Sequence, residues 1–172
     1  MASVFGHGIV GYTLSKVIDN KNTKWLVVMA TISAILPDLD VIGFHFGIHY
    51  ESPLGHRGLT HSIVFAILWS LVLMFTLGKN HKALWFWVIF LSTLSHGLLD
   101  AMTSGGRGVG FFIPFNNERF FLPFRGIKVS PLGIENFFTE WGIQVIFSEF
   151  KYIFLPCFLI FGFKMLLKPN KS

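Results

Sequence analysis

Apolar residues gather into five stretches along the chain: residues 3–18, 24–36, 61–77, 83–100 and 152–167. The last three approach the length a helix needs to cross a bilayer, about 17–25 residues. The first two are short, and are expected to tilt, insert partway or pack behind the others. Pro37 stops the second stretch, and Pro156 is expected to kink the fifth. Thr60 is the expected N-cap of the third. Two kinds of connection separate them. "DNKNTK" (19–24) and "GKNHK" (78–82) are short, polar and basic. The segments 37–60 and 101–150 are long and rich in Gly, Pro, Phe and Arg. Connections that long in a compact protein usually carry function.

Composition turns these stretches into a membrane protein. The 172 residues are 52% hydrophobic and only 13% charged, whereas soluble domains run near a quarter charged. Twenty-one phenylalanines exceed what a soluble core of this size hides. The expected fold is all-α: one domain over 1–172, an integral membrane bundle of four to five helices with long functional loops on one face. The net charge of +5 suits anionic headgroups or phosphate. No basic arm suggests nucleic acid. The one cysteine, Cys157, lies in "IFLPCFLIF" and is expected to be an inert thiol. "MASVFGHGIV" lacks a basic stretch before its apolar part, so a cleaved signal peptide is not expected.

Charged groups in so apolar a chain are costly and tend to be functional. If the first four stretches alternate in direction, one end of the bundle collects the start of the first, "PDLD" after the second, "HRGLTHS" before the third and "SHGLLD" closing the fourth. His7, Asp38, Asp40, His56, His61, His96 and Asp100 then meet at that end. His96 and Asp100, four apart, share a helix face. Each motif alone has an ordinary explanation. "PDLD" is a common helix stop, and a His–Asp pair at that spacing is usually just hydrogen-bonded. Together, four imidazoles and three carboxylates point to a metal centre, with zinc expected and manganese or iron as alternatives. Seven ligands exceed the needs of one zinc, so two divalent ions are expected. Ions about 3.5–4 Å apart suit phosphoester hydrolysis. His45 and His49 are expected to be interfacial or structural, and His81 to be solvated at the far end.

After Asp100, the segment from Ala101 to Gly133 carries Arg107, Arg119, Arg125 and Lys128 among glycines and aromatics. With Arg57 they form a cationic set at the same end. Guanidinium groups bind phosphate bidentately, so Arg107, Arg119 and Arg125 are candidates to neutralise a substrate phosphate.

"HGIVGY", "LPDLD", "HRGLTHS", "SHGLLDAMTSGG" and "PFNNERFFLPFR" together resemble the YdjM-type inner-membrane metal-dependent hydrolases, some of them LexA-regulated. The resemblance covers about residues 5–133. That family is similar, distantly, to zinc-dependent phospholipases C and single-strand nucleases, whose helical bundles hold clustered zinc. The resemblance implies that His96 and Asp100 match the H-x-x-x-D pair whose aspartate bridges two metals. It implies that Asp38 or Asp40 matches an upstream ligand or base, and that His7 and His56 match further ligands. The chain has no later H-x-x-x-E pair and no N-terminal tryptophan, so a third zinc is not implied.

The expected function is hydrolysis of a phosphoester in a phospholipid or lipid-linked substrate by metal-activated water. Whichever of Asp38 and Asp40 is not a ligand would serve as base. One alternative is a di-iron oxidase or hydroxylase, which calls for more histidine boxes than "HRGLTH" supplies. The other is a metal-binding or transport protein, which calls for ligands near the membrane midplane. Lys21, Lys24, Lys79, Lys82, Lys168 and Lys171 gather at the far end, against Arg57, Arg107, Arg119, Arg125 and Lys128 at the site end. Because the lysines lie in short turns close to the stretch ends, the far end is the one expected to be cytoplasmic.

Overall fold

A computed structural model describes residues 1–21, 23–130 and 138–167. Lys168 and Lys171, part of the orientation argument, lie outside the described residues. The fold is all-helical. In chain order the helices are α1 (Val4–Ile18), α2 (Lys24–Ile35), α3 (Ile63–Thr76), α4 (Lys82–Ala101), α5 (Glu140–Glu149) and α6 (Leu155–Leu166). Helices α1 to α4 alternate in direction: short turns join α1 to α2 and α3 to α4, and the long segment between Ile35 and Ile63 returns the chain at the end where α2 finishes. Their packing brings the starts of α1 and α3 to the same end as the finishes of α2 and α4.

Three helical stretches among the described residues are long and apolar enough to cross a membrane: Lys24–Phe46, Lys82–Ala101 and Glu140–Leu166. Two of them exceed the sequence expectation. Pro37 does not end the second apolar stretch, because a 3-10 helix, Leu36–Phe46, continues α2. Proline in a first helical turn removes only a donor that lacks a partner there anyway. The last apolar stretch likewise starts earlier, at Glu140. A π turn, Phe150–Phe154, joins α5 to α6, and the Leu155 N–H donates to the Phe150 carbonyl. The turn precedes Pro156, where the sequence pointed to a kink. Helix α3 begins two residues later than expected. Its N-cap is Ser62, whose Oγ accepts from Phe65 N–H, and not Thr60. Thr60 is occupied elsewhere, as shown below.

Helices α1 and α2 pack closely because α1 presents glycine where α2 presents alanine. A Cβ on Gly11 would stand 2.6 Å from the Ala30 carbonyl oxygen and 2.7 Å from the Ala34 Cβ. Small residues at such an interface let two backbones approach without any hydrophobic drive from water. At the far end of the bundle, Leu26, Ala30, Leu73, Trp85, Val88 and Ile89 form an apolar core. A second core near the site, Ala2, Leu99, Ile127, Ile153 and Cys157, ties the chain start to α4, the long loop and the last helix. Cys157 is buried there as a free thiol.

The loop after α4 folds back over the site end. Val109 and Phe120 exchange two backbone hydrogen bonds, each 2.9 Å. Gly110 N–H donates to the Arg57 carbonyl and Ile63 N–H to the Phe111 carbonyl, latching this loop to the one before α3.

Candidate metal centre

Four groups meet at the end of the bundle from three parts of the chain. Asp38 comes from the 3-10 continuation of α2, His61 from a 3-10 turn before α3, and His96 and Asp100 from the last turns of α4. One ligand atom from each lies within 4.8 Å of all the others, and all four residues are buried. His96 Nε2 is 3.0 Å from His61 Nε2 and 3.2 Å from Asp38 Oδ1. His61 Nε2 is 3.8 Å from Asp38 Oδ1 and 3.7 Å from Asp100 Oδ2. From α1, His7 stacks on His96 with ring centres 3.7 Å apart, and its Nε2 is 3.4 Å from Asp100 Oδ1.

The hydrogen bonds around this group leave its inner atoms free. His96 Nδ1 is 2.7 Å from the Ala34 carbonyl, which can only accept, so Nδ1 carries a proton and, in the neutral ring, Nε2 presents a lone pair. Asp100 Oδ1 accepts from the Ala2 N–H at 2.9 Å. Both oxygens of Asp38 and both ring nitrogens of His7 are buried without a hydrogen-bond partner, while Asp100 Oδ2 faces Arg57 Nε as an ion pair. Buried polar atoms are normally satisfied, and each orphan calls for an explanation. A cation among them explains the Asp38 oxygens and the inner nitrogen of His7. The donors, neutral imidazole and carboxylate, fit zinc, manganese or iron.

Asp40, two residues from Asp38, has a different environment. Its Oδ1 is 2.6 Å from His56 Nδ1. Its Oδ2 accepts from Arg57 N–H at 3.0 Å and from Thr60 Oγ1 at 2.8 Å, and is 3.2 Å from His61 Nδ1. Asp40, His56 and His61 form a second cluster of ligand-type atoms that overlaps the first at His61. An aspartate that holds the outer nitrogen of an imidazole fixes the tautomer and aims the inner nitrogen. Burial opposes a charge on His61, but the Asp100 and Asp40 carboxylates outweigh it and raise its pKa to about 9.

Arg57 is the group at this site that the sequence argument left out of the ligand and catalytic set. It is fully buried, with Nε 3.0 Å from Asp100 Oδ2 as an ion pair. Its Nη1 and Nη2 donate to the Gly105 carbonyl and Thr103 Oγ1. Its backbone is left-handed, φ 62°, an uncommon conformation for a side chain of this size. Gly106 makes the room: a Cβ there would come within 2.4 Å of Arg57 Nη1. A charge inside "HRGLTH", flanked by a histidine and a glycine, was the available signal.

The three loop arginines stay outside this cluster. Arg119 donates to the carbonyls of His56, Tyr50 and Ser52, so its guanidinium ties down the loop that carries His56. Burial lowers its pKa from the ordinary value. Arg107 is exposed and paired with Glu51. Arg125 is exposed, donates through Nε to the Thr103 carbonyl and stacks 3.7 Å from the Phe121 ring centre. His45, His49 and His81 are exposed and away from the cluster.

Residues 1–170 match the family model described as the YdjM inner membrane protein. The chain belongs to that family. It is also 42% identical over 156 residues to the inner membrane protein YbcI of Escherichia coli (strain K12), covering 86% of this chain and 85% of that protein. No solved structure matches it. A YdjM-family protein with three stretches among the described residues long and apolar enough to cross a membrane is an inner membrane protein, and its buried His/Asp cluster is compatible with a metal site.

Proposed function

We propose that this YdjM-family protein is a metal-dependent hydrolase that cleaves a phosphoester in a phospholipid or lipid-linked substrate. One observation carries the proposal. A cavity of about 200 Å³ lies beside the cluster, lined by Val41, Phe44, Tyr50, His56, Arg57 and Gly106 among others. It combines two residues of the site with apolar and aromatic walls. The volume suits a phosphate-bearing headgroup and is small for acyl chains. Those would stay outside, against Leu39, Ile42, Phe46 and Leu54, which are exposed around the same end.

Asp38, His61, His96 and Asp100 would hold the ion, with His7 at its edge. When bound, such an ion activates water and neutralises phosphoryl oxygens. We take zinc as the first choice from the donor set. The second cluster, Asp40–His56–His61, would take a second ion only by giving up hydrogen bonds it already makes, so the first cluster is the primary site. In this reading Asp38 is the ligand and Asp40 the orienting group. Asp40 holds His56 at Nδ1 and leaves Nε2 of that ring for proton transfer at the cavity. Arg57 pairs with Asp100 and lends positive charge to the cavity wall. Arg107 and Arg125 are left as outer contacts for the phosphate.

Purified protein in vesicles, loaded with zinc and given phospholipids of varied headgroup, tests this directly. Release of a phosphate-containing headgroup or of inorganic phosphate, abolished by a chelator, is the expected result. A lack of release from every phosphoester lipid at full metal loading would overturn it.

A further inference from the structure

Glu149 is a buried carboxylate at the end of α5, 3% exposed, on a helix whose residues otherwise gave no reason to join the site. Ionisable groups inside membrane helices are rare and by default invite a functional explanation. Its partners all belong to the chain start. Ser3 N–H and Ser3 Oγ both donate to it, the latter at 2.6 Å. Ser3 Oγ in turn accepts from Gly6 N–H as the N-cap of α1. The carboxylate therefore lies at the positive end of the α1 dipole, where negative charge is favoured. Gly6 permits the approach: a Cβ there would stand 3.3 Å from Glu149 Oε2 and 3.1 Å from Ile153 Cδ1. The π turn begins at the next residue, a helical irregularity that recurs at functional sites.

The residues on either side of Ser3 lead to the metal centre. Ala2 N–H donates to Asp100 Oδ1. One turn on, His7 donates its backbone N–H to the Ser3 carbonyl and brings its ring to Asp100 and His96. We infer that Glu149 is a positioning residue: by holding Ser3 it fixes the Ala2 amide and the His7 ring against Asp100, which makes the last helix part of the metal centre. The inference rests on the metal reading for its consequence, but not for its geometry.

The test uses the full chain in lipid nanodiscs, as Glu149→Ala, Glu149→Gln and Ser3→Ala. Three signals are read: hydrogen exchange at the Ala2 amide, the ¹⁵N shifts of the His7 ring, and zinc affinity by competition with a chelator. The Trp69 indole N–H, bonded to Ser33 Oγ, serves as a remote control. Glu149→Ala is expected to speed Ala2 exchange, move the His7 shifts and weaken zinc about ten- to hundred-fold, the range for outer-shell partners. Glu149→Gln keeps an acceptor and should do less. Trp69 should not move. If Glu149→Ala does not fold, the other two variants carry the same test. Unchanged Ala2 and His7 signals in a folded variant overturn the inference, as does Trp69 moving in step with them. A wild type that binds no zinc would defeat the hydrolase reading, while the Ala2 and His7 signals would still decide the role of Glu149.

Discussion

The Nε2 atoms of His61 and His96 lie 3.0 Å apart. The other nitrogen of each ring faces an oxygen: Ala34 carbonyl for His96, Asp40 for His61. If both rings were neutral with their outer nitrogens protonated, two lone pairs would face each other. A proton on one of the two Nε2 atoms, or a cation beside them, relieves that opposition. In the ion-free protein it is a proton on His61, consistent with its raised pKa. In the loaded protein it is the metal, and the spacing is close to the edge of a tetrahedral zinc site, about 3.3 Å for Zn–N bonds near 2.05 Å.

Metal binding should therefore release a proton. Raised from 6.5 to about 9, His61 stabilises the ion-free fold fully below about pH 6.5, and that contribution is lost as pH climbs through 9. At pH 7 the ring is charged and must lose its proton to ligate. Calorimetric titration with zinc in buffers of different ionisation enthalpy should show close to one proton released per ion at pH 7, falling toward none at about pH 10. Equal heats in all buffers at pH 7 would contradict the assignment.

Asp38 and Asp40 should separate on mutation, although only one residue lies between them. Asp38→Asn removes an anionic ligand and should abolish zinc binding at micromolar concentrations. Asp40→Asn leaves the ligands in place but loosens His61 and His56, so affinity should fall about ten- to hundred-fold. The dissociation constants of both variants, measured side by side, check this. Equal losses would mean that Asp40 is itself a ligand.

Arg119 should matter to the loop before it matters to substrate. Its three carbonyl partners predict that Arg119→Ala lowers unfolding free energy by about 2–3 kcal/mol, the scale for hydrogen bonds to a charged group. Arg125→Ala, with a single carbonyl bond and an exposed side chain, should leave stability within about 0.5 kcal/mol and act on turnover instead. Denaturant unfolding in mild detergent separates them. The opposite ranking would return Arg119 to the list of direct phosphate contacts.

Much of the site was legible because alternation of the first four helices puts its residues at one end. Short turns impose that between α1 and α2 and between α3 and α4. The structure shows it across the long 37–60 segment as well, bringing His7, Asp38, His61, His96 and Asp100 together. The different roles of Asp38 and Asp40 were not legible. They lie two residues apart on a 3-10 helix, and only the fold of the Arg57–Thr60 loop decides which carboxylate collects its donors. The reach of α2 was hidden by Pro37, since a proline in a first turn reads like a stop, and the start of the last stretch at Glu140 was hidden because its residues were read as part of the long loop. Glu149 gave only a faint signal, one acid in "QVIFSEFKYIF", because its meaning depends on Ser3, 146 residues away.

The expected orientation rests on lysines close to helix ends, set against the cations of the site end. Lys21, Lys24, Lys79 and Lys82 flank the turns opposite the metal centre, and short basic turns stay cytoplasmic. A phosphatase fused after Lys79 should be inactive and a fluorescent protein there bright, with the metal centre on the extracytoplasmic side. The reverse pattern would turn the protein over and direct its chemistry to the cytoplasmic leaflet.

The most direct measurement is the metal content of the purified protein by elemental analysis, wild type against the Asp38→Ala, His96→Ala double variant. The wild type is predicted to carry about one zinc, manganese or iron ion per chain, and the folded variant less than a tenth of that. Equal metal in the two proteins, or none in a wild type purified without chelator and supplied with zinc, would contradict the account.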